Sequence, residues 1–390
     1  MPALDYVRHA ARVFRSGGLP LYLVFFVTDR CNARCRHCLF GDGTVFPDVA
    51  KELSLDEIEK VASTMGRLYF LLPTGGEPFL REDLGDIVRV LYRRTGVRNV
   101  AIPTNGSLTA RVISTVENML AACPDLTLSI DVSLDGVGDA HDKLRGVPGL
   151  FTKAVATLRE LQRIERRTPR FSVNIETTVT SFNDRLLDEN FDYFIRELKP
   201  TAVFTLLARG KPREPASLNV DLPRYLAYAG RLEKALLGGE LAGYRHFPGA
   251  DLINAKRIVR HRLIARIAGE RRCLLPCYAG SLGAALFANG EVYPCEMHTD
   301  MPVGNVRDFG YDFRAIWNGG KAKAARERIR RERCFCTYEC FLTLNILFNP
   351  RFWPAVLREW VRIKGARVNA VGISFTRRRA GAPTHRRGEH

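Results

Sequence analysis

The segment LYLVFFVTDRCNARCRHC, residues 21–38, sets an apolar run directly against three cysteines. The run is aromatic and β-branched, and Thr28, Asp29 and Arg30 close it, so it reads as a strand. It is too short to span a bilayer. Five similar runs follow at Leu68–Thr74, Asn99–Thr104, Leu126–Leu134, Phe171–Val179 and Ala202–Leu207. Between them lie amphipathic stretches, among them Leu55–Met65, Asp83–Arg94, Arg111–Ala121, Phe151–Arg166 and Asp184–Leu198. Ser54 and Glu57 predict a capping box at the start of the first. Strand–helix alternation of this kind implies parallel strands joined by right-handed crossovers. Six units fit either an incomplete (β/α) barrel or an open doubly wound sheet, and periodicity alone does not choose between them.

Turn residues fall just after the strands. Thr74-Gly75-Gly76-Glu77-Pro78 follows the second, Thr104-Asn105-Gly106 the third and Asp135-Gly136 the fourth. Each could simply supply a tight turn. Their recurrence behind successive strands is what a barrel active site requires, because such sites gather at the C-terminal ends of strands.

Cys31, Cys35 and Cys38 form C-x3-C-x2-C in the loop after the first strand. Three thiolates on one loop can hold three irons of a [4Fe–4S] cube and leave the fourth iron open, the mark of a catalytic rather than a structural metal site. A structural zinc would need a fourth ligand, and the loop offers no obvious one. The chain has ten cysteines. In a reducing compartment they read as metal ligands or reactive thiols rather than disulfides; isolated Cys123 reads as a core residue.

On these residues the chain resembles the radical S-adenosylmethionine (SAM) superfamily. CNARCRHC matches the cluster loop, Gly75-Gly76-Glu77-Pro78 the GGEP motif, and Ser133-Leu134-Asp135-Gly136 with His141-Asp142 and Arg145-Gly146 the region after the fourth strand. The likeness covers about residues 20 to 210. It implies an α/β fold, a partial (β/α)6 TIM-type barrel with a small C-terminal cysteine-rich α+β extension. It also implies that Cys31, Cys35 and Cys38 ligate a [4Fe–4S] cluster that binds SAM. By the same resemblance Gly75, Gly76 and Glu77 receive the methionine amino group, and Ser133 and Asp135 lie near the ribose. His37 stands where the family often has an aromatic residue against the adenine, and Asn105 is a further cofactor-site residue. Thr180 and Asn183 read equally as turn or cap residues.

A second cysteine group lies beyond residue 270. Cys277, Gly290 and Cys295 form C-x12-G-x4-C across a predicted hairpin at Asn289-Gly290. Cys336 and Cys340 form C-x3-C, with Cys334 just before them and Cys273 upstream. This is similar to the SPASM/twitch extensions of radical SAM enzymes and implies an auxiliary [4Fe–4S] cluster. Its expected ligands are Cys277, Cys295, Cys336 and Cys340, with Cys273 and Cys334 as substitutes or a partial second site. Four cysteines on short loops also suit a structural zinc. The expected organisation is an N-terminal helix at 1–18, the barrel at 19–222 and a helical connector at 223–270. A cluster domain at 271–345 and basic, aromatic C-terminal helices and tail at 346–390 complete it.

The formal net charge of +17 is uneven: from Lys321 onward there are 17 Lys/Arg against 5 Asp/Glu. Such a run is either a solvated helix face or a surface that meets phosphates. Aromatic and aliphatic residues crowd Phe341–Ile363 among arginines, with Pro350 and Pro354 predicting two short helices. These pack on the barrel, or rest on an anionic membrane and favour a lipid-linked substrate. No signal peptide is evident at the N-terminus, which predicts a cytoplasmic protein, peripheral at the inner face of the membrane if the C-terminal segment binds lipid.

The chemistry the resemblance implies is reductive cleavage of SAM and hydrogen abstraction from a peptide, sugar or lipid-linked substrate. An electron donor such as flavodoxin or ferredoxin supplies the electron. Alternatives are a transferase adding an adenosyl or methyl group, and an iron–sulfur sensor or electron carrier. RNA modification lacks a recognisable RNA-binding module. The sequence singles out no catalytic acid or base: Glu176 and Glu296 read as cavity residues or as salt-bridge partners.

Overall fold

The computed structural model describes residues 18–41, 51–244 and 249–380, with side chains to residue 366. The expected N-terminal helix and the end of the basic tail lie outside the described residues.

Strand β1 (Tyr22–Thr28) is buried along its whole length, as its apolar run requires. It is followed by β2 (Phe70–Gly75), β3 (Asn99–Thr104), β4 (Thr127–Ser133), β5 (Phe171–Val179) and β6 (Ala202–Leu207). All pair in parallel in the order β6-β5-β4-β3-β2-β1. An order that never reverses is an arc of a barrel; a doubly wound sheet would reverse at its switch point. The crossovers carry α1 (Leu55–Thr64), α2 (Leu84–Thr95), α3 (Thr109–Ala122), α4 (Asp139–Arg145), α5 (Leu150–Arg167) and α6 (Leu187–Tyr193). Ser54 and Glu57 form the capping box on α1. The helix expected over Asp184–Leu198 is broken: α6 gives way to a π turn at Phe194–Leu198.

The sheet does not stop at β1. Strand β7 (Gly283–Leu286) pairs with it in parallel, Tyr22 opposite Gly283 and Phe25 opposite Leu286. The predicted hairpin then turns the chain back into β8 (Glu291–Tyr293), and β9 (Gly304–Asn305) follows. The cysteine-rich extension therefore shares one nine-stranded sheet with the barrel. Gly283 is required there, since a Cβ would stand 2.5 Å from the ring of Phe341.

The connector consists of α7 (Leu222–Gly238) and α8 (Ala250–Glu270). α8 is buried along most of its length, including Lys256, Arg257, Arg260 and His261. After α9 (Phe313–Asn318), α10 (Gly320–Glu332) and α11 (Glu339–Leu347), the chain ends in α12 (Trp353–Ala380). The second C-terminal helix is thus long rather than short. Pro354 sits in its first turn, where a missing amide hydrogen costs no helical bond. α12 packs along α8 and α7 and is tied to them by Lys364–Asp251 at 2.8 Å, Arg262–Glu359 at 2.7 Å and Arg362–Glu233 at 3.0 Å. Trp353, Leu357, Trp360 and Val361 form an exposed apolar stripe on it at helical spacing. No helix among the described residues is long and apolar enough to cross a membrane.

Candidate active site

The loop carrying Cys31, Cys35 and Cys38 leaves β1 at the C-terminal end of the barrel and is pinned from several sides. The amides of Gly76 and Glu77 donate to the carbonyls of Thr28 and Arg30 at 3.0 and 2.8 Å. A Cβ on Gly75 would lie 2.0 Å from the Thr28 carbonyl oxygen, and one on Gly76 2.2 Å from that of Arg30. Gly75 also holds φ +136°, a region closed to other residues at ordinary cost. Only glycine lets the turn pass this close. With these amides engaged, the turn's carbonyl oxygens are its natural offer to a ligand, as an ammonium group would require.

From the opposite side, the amides of Arg34 and Arg36 donate to the carbonyls of Arg145 and Leu144 at the end of α4, at 2.9 and 3.0 Å. Arg36 makes a two-pronged contact with Glu214 at 2.8 and 2.7 Å and lies over the ring of Phe182. Asn105 donates to Asn32 at 2.7 Å, and Asn32 to the Ser107 hydroxyl at 2.9 Å. Asn105 thus ties the cysteine loop to the end of β3.

Glu77 turns its carboxylate inward. One oxygen accepts from the Thr104 hydroxyl at 2.9 Å and the Phe79 amide at 3.2 Å; the other accepts from the Asn105 amide at 2.7 Å. Burial pushes this carboxyl up to about 6 against the pull of those bonds. With the side chain so occupied, its part in a cofactor site falls to the main chain.

Asp135 is fully buried. It accepts from Arg145 Nε at 2.7 Å and the Thr178 amide at 2.8 Å, with His37 Nε2 at 3.5 Å. Burial alone would raise its pKa, but the Arg145 charge, with His37 and His141, outweighs that and holds it below the usual range. Its side chain organises the end of β4, while Ser133 beside it lines the cavity. Burial lowers His37 to about 4, so its ring is neutral and faces the same space. Asn183 accepts from Thr180 and donates to the carbonyls of Asp135 and Thr178, which is a structural tie between strand ends.

Above this site opens one cavity of about 1900 Å³. It runs from the three cysteines past Ser133 and Glu176 to Arg209, Glu296, Cys340, Lys256, Arg257 and Arg260, and reaches Trp353 and Leu357. Glu176 and Glu296 therefore both face the cavity. Burial, with Asp131 and Glu339 nearby, raises Glu176 to about 8. The Lys256, Arg257 and Arg260 wall was not legible as part of a site: a connector helix reading KRIVRHR suggests solvated charge.

In the second group, burial pushes up the Cys295 thiol, and Cys336 and Cys277 beside it push it further. Cys336 is raised to about 12 by burial, with Cys277 and Cys334 adding to it; Cys334 in turn lies near Cys277 and Cys273. Cys340 stands apart from them. Its thiol is raised to about 11 by burial and has Glu296, Tyr22 and Tyr338 as neighbours on the cavity wall. Cys295 thus has Cys277 and Cys336 as neighbours, Cys334 has Cys277 and Cys273, and Cys340 has Glu296, Tyr22 and Tyr338. The reason is local: Cys340 lies within α11, which presents it to the barrel. Among the described residues no three His, Cys, Asp or Glu side chains close to metal-binding distance.

Comparison with known proteins agrees with this geometry. Residues 25–194 match the model of the radical SAM superfamily, and residues 277–341 match that of an iron-sulfur cluster-binding domain, SPASM. Among curated relatives, an AdoMet-dependent heme synthase of Methanosarcina barkeri is 28% identical over 77% of this chain and 83% of its own length. A pre-heme d1 synthase of Dinoroseobacter shibae is 26% identical over 84% of this chain and 80% of its own. Among solved structures, native anSMEcpe with bound AdoMet and Cp18Cys peptide superposes with a TM-score of 0.55 at 17% identity, over 91% of this chain and 99% of that one. The fold and the cysteine loop define an iron–sulfur, SAM-binding barrel. Residues 25–194 are a radical SAM domain and residues 277–341 a SPASM domain, and the two imply SAM and [4Fe–4S] clusters as cofactors.

Proposed function

We propose that this chain cleaves SAM reductively and abstracts a hydrogen atom from a substrate held in the same cavity, leading to oxidation or rearrangement. The carrying observation is the single chamber of about 1900 Å³ joining the cysteine loop to a second set of charged groups. Pockets for one small ligand commonly measure about 300–1000 Å³, so this one has room for SAM and a second molecule.

A [4Fe–4S] cluster on Cys31, Cys35 and Cys38 with SAM bound supplies, when present, a 5′-deoxyadenosyl radical. The glycine turn fits this group because its close approach leaves carbonyl oxygens beside the cysteine loop. The chain's own residues then position and shield. Carbonyls of Gly75–Glu77 orient the amino group, Ser133 offers a hydroxyl toward the ribose, and neutral His37 packs beside the adenine. Glu176, protonated at neutral pH, donates a hydrogen bond to the substrate. The apolar wall of the cavity excludes water from the reacting centre.

Cys277, Cys295, Cys336 and Cys334 are the proposed ligands of the auxiliary cluster, with Cys273 beside them. The substrate classes to be tried are peptides, sugars and lipid-linked molecules. The two relatives' names add heme-type macrocycles to these. The test is anaerobic reconstitution followed by dithionite and SAM, with 5′-deoxyadenosine scored by mass spectrometry. Wild type should form it, and a Cys31→Ala/Cys35→Ala/Cys38→Ala variant should not. No product from wild type that holds its first cluster would move the assignment to a sensor or electron carrier.

A further inference from the structure

One turn of α8 places three basic side chains on the cavity wall, where burial and then the Arg260 and Arg257 charges push the Lys256 amine well below its ordinary pKa. Lys256, Arg257 and Arg260 are only 5–6% exposed, yet all line the cavity. Buried cations are costly unless a counter-charge or full hydrogen bonding compensates them. Among the described residues, no carboxylate lies within ion-pair distance of any of the three. Glu339, an acid that feels the Arg260 charge, is engaged with Arg209 at 2.9 Å.

Compensation differs among the three. Arg257 donates to the Val203 carbonyl at 2.6 Å and lies over the Phe204 ring, 4.4 Å from its centroid, so it is the most committed to structure. Arg260 is the least committed: its Nε and Nη2 have no partner among the described residues. Lys256 Nζ and Arg260 Nη1 both donate to one oxygen, the Thr343 hydroxyl, at 3.1 and 3.2 Å. A neutral oxygen shared between two buried basic groups marks where an anionic oxygen is best received, since an anion would restore the Lys256 charge that burial and the arginines suppress. Beyond the cations the walls are apolar, with Leu344, Leu347, Trp353 and Leu357 toward the end that α12 covers.

We propose that Lys256 and Arg260, backed by Arg257, receive an acidic group, carboxylate or phosphate, on a substrate whose body is apolar, and so fix which end of it faces the cysteine loop. This rests on reading the cavity as the substrate chamber. Guanidinium groups suit planar, two-pronged contact with either acid. A charge-assisted contact of this kind corresponds to about tenfold or more in affinity.

The experiment is equilibrium ultrafiltration of the reconstituted holoenzyme with two matched pairs of probes. One pair is protoporphyrin IX and its dimethyl ester; the other is farnesyl phosphate and farnesol. At least one acid should bind about tenfold more tightly than its neutral partner, and that pair identifies a carboxylate or a phosphate as the source. Arg260→Met should abolish the preference while leaving the neutral probe's affinity unchanged, which also reports that the variant is folded. If Arg260→Met does not fold, Lys256→Met takes its place and should weaken the preference about threefold or more. No preference for the acid in either pair, or a preference that survives the substitution, overturns the proposal. Deoxyadenosine formation by the same preparations reports separately: its absence from wild type would remove the proposed radical chemistry and leave the anion site to be decided by binding alone.

Discussion

Arg145 holds Asp135 and the cysteine loop together: its guanidinium donates to Asp135 at 2.7 Å while its carbonyl accepts the amide of Arg34 at 2.9 Å. An ion pair at the end of β4 is thereby coupled to the cysteine loop after β1. Arg145→Met leaves Asp135 buried without its counter-charge and should cost about 3–5 kcal/mol in denaturant titration. Asp135→Asn/Arg145→Met, which removes both charges, should recover part of that loss. Equal destabilisation in single and double variants would count against the coupling.

The glycine turn gives a sharper test of shape. Gly76→Ala places a Cβ against the Arg30 backbone and should abolish SAM binding, measured by equilibrium dialysis of the reconstituted protein. Gly149, in the left-handed region at φ +72°, has nothing within 4 Å of a built Cβ. Gly149→Ala should lose only about 1 kcal/mol of stability and keep SAM affinity. Retained affinity in Gly76→Ala would break the link between that turn and the cofactor.

Iron and sulfide analysis distinguishes the two roles of the C-terminal cysteines. Cys295→Ala and Cys336→Ala should each lose about four iron atoms per chain, one [4Fe–4S] cluster. Cys340→Ser should keep them, because that thiol faces Tyr22 and Tyr338. Loss of the same iron from Cys340→Ser would return it to the ligand set.

Glu176 makes stability fall with rising pH. Its ordinary pKa of 4.5 is raised to about 8 in the fold. Between these values the folded state binds the extra proton and the unfolded state does not, so stability is lost as pH climbs through the window. Glu176→Gln removes this dependence. Its advantage over wild type should grow toward pH 8 by at most about 1.4 kcal/mol per pH unit in urea titrations. A gap that stays constant with pH would place the titration elsewhere.

The exposed stripe of Trp353, Leu357, Trp360 and Val361 predicts association with lipid. Wild type should co-sediment with anionic vesicles at low salt, and Leu357→Glu/Val361→Glu should bind them at least severalfold less. Absence of wild-type binding at low salt would assign the stripe to another partner.

The barrel strands were legible because each is a short apolar run followed by turn residues. Asn99–Thr104, Phe171–Val179 and Ala202–Leu207 fall where the sequence predicts them. The cysteine loop and the glycine turn were legible as motifs, though not the reason for them, which is backbone passing against backbone. The pairing of β7 with β1 was hidden, since Gly283–Leu286 is four small or apolar residues with no pattern of its own. The cations of α8 were hidden for a different reason. Charge at helical spacing ordinarily faces water, and only packing beneath α11 and α12 shows that these do not. The neighbours of Cys340 were not legible either, because sequence spacing says nothing of which way a helix turns a thiol.

β1 has neighbours on both sides, β2 and β7. Without residues beyond 270 it would be an edge strand, seven residues long and nearly all apolar, with its hydrogen-bonding groups bare. Such edges template aggregation. The auxiliary domain is therefore also a cap on the barrel: a chain cut at the connector should precipitate rather than yield a smaller soluble enzyme.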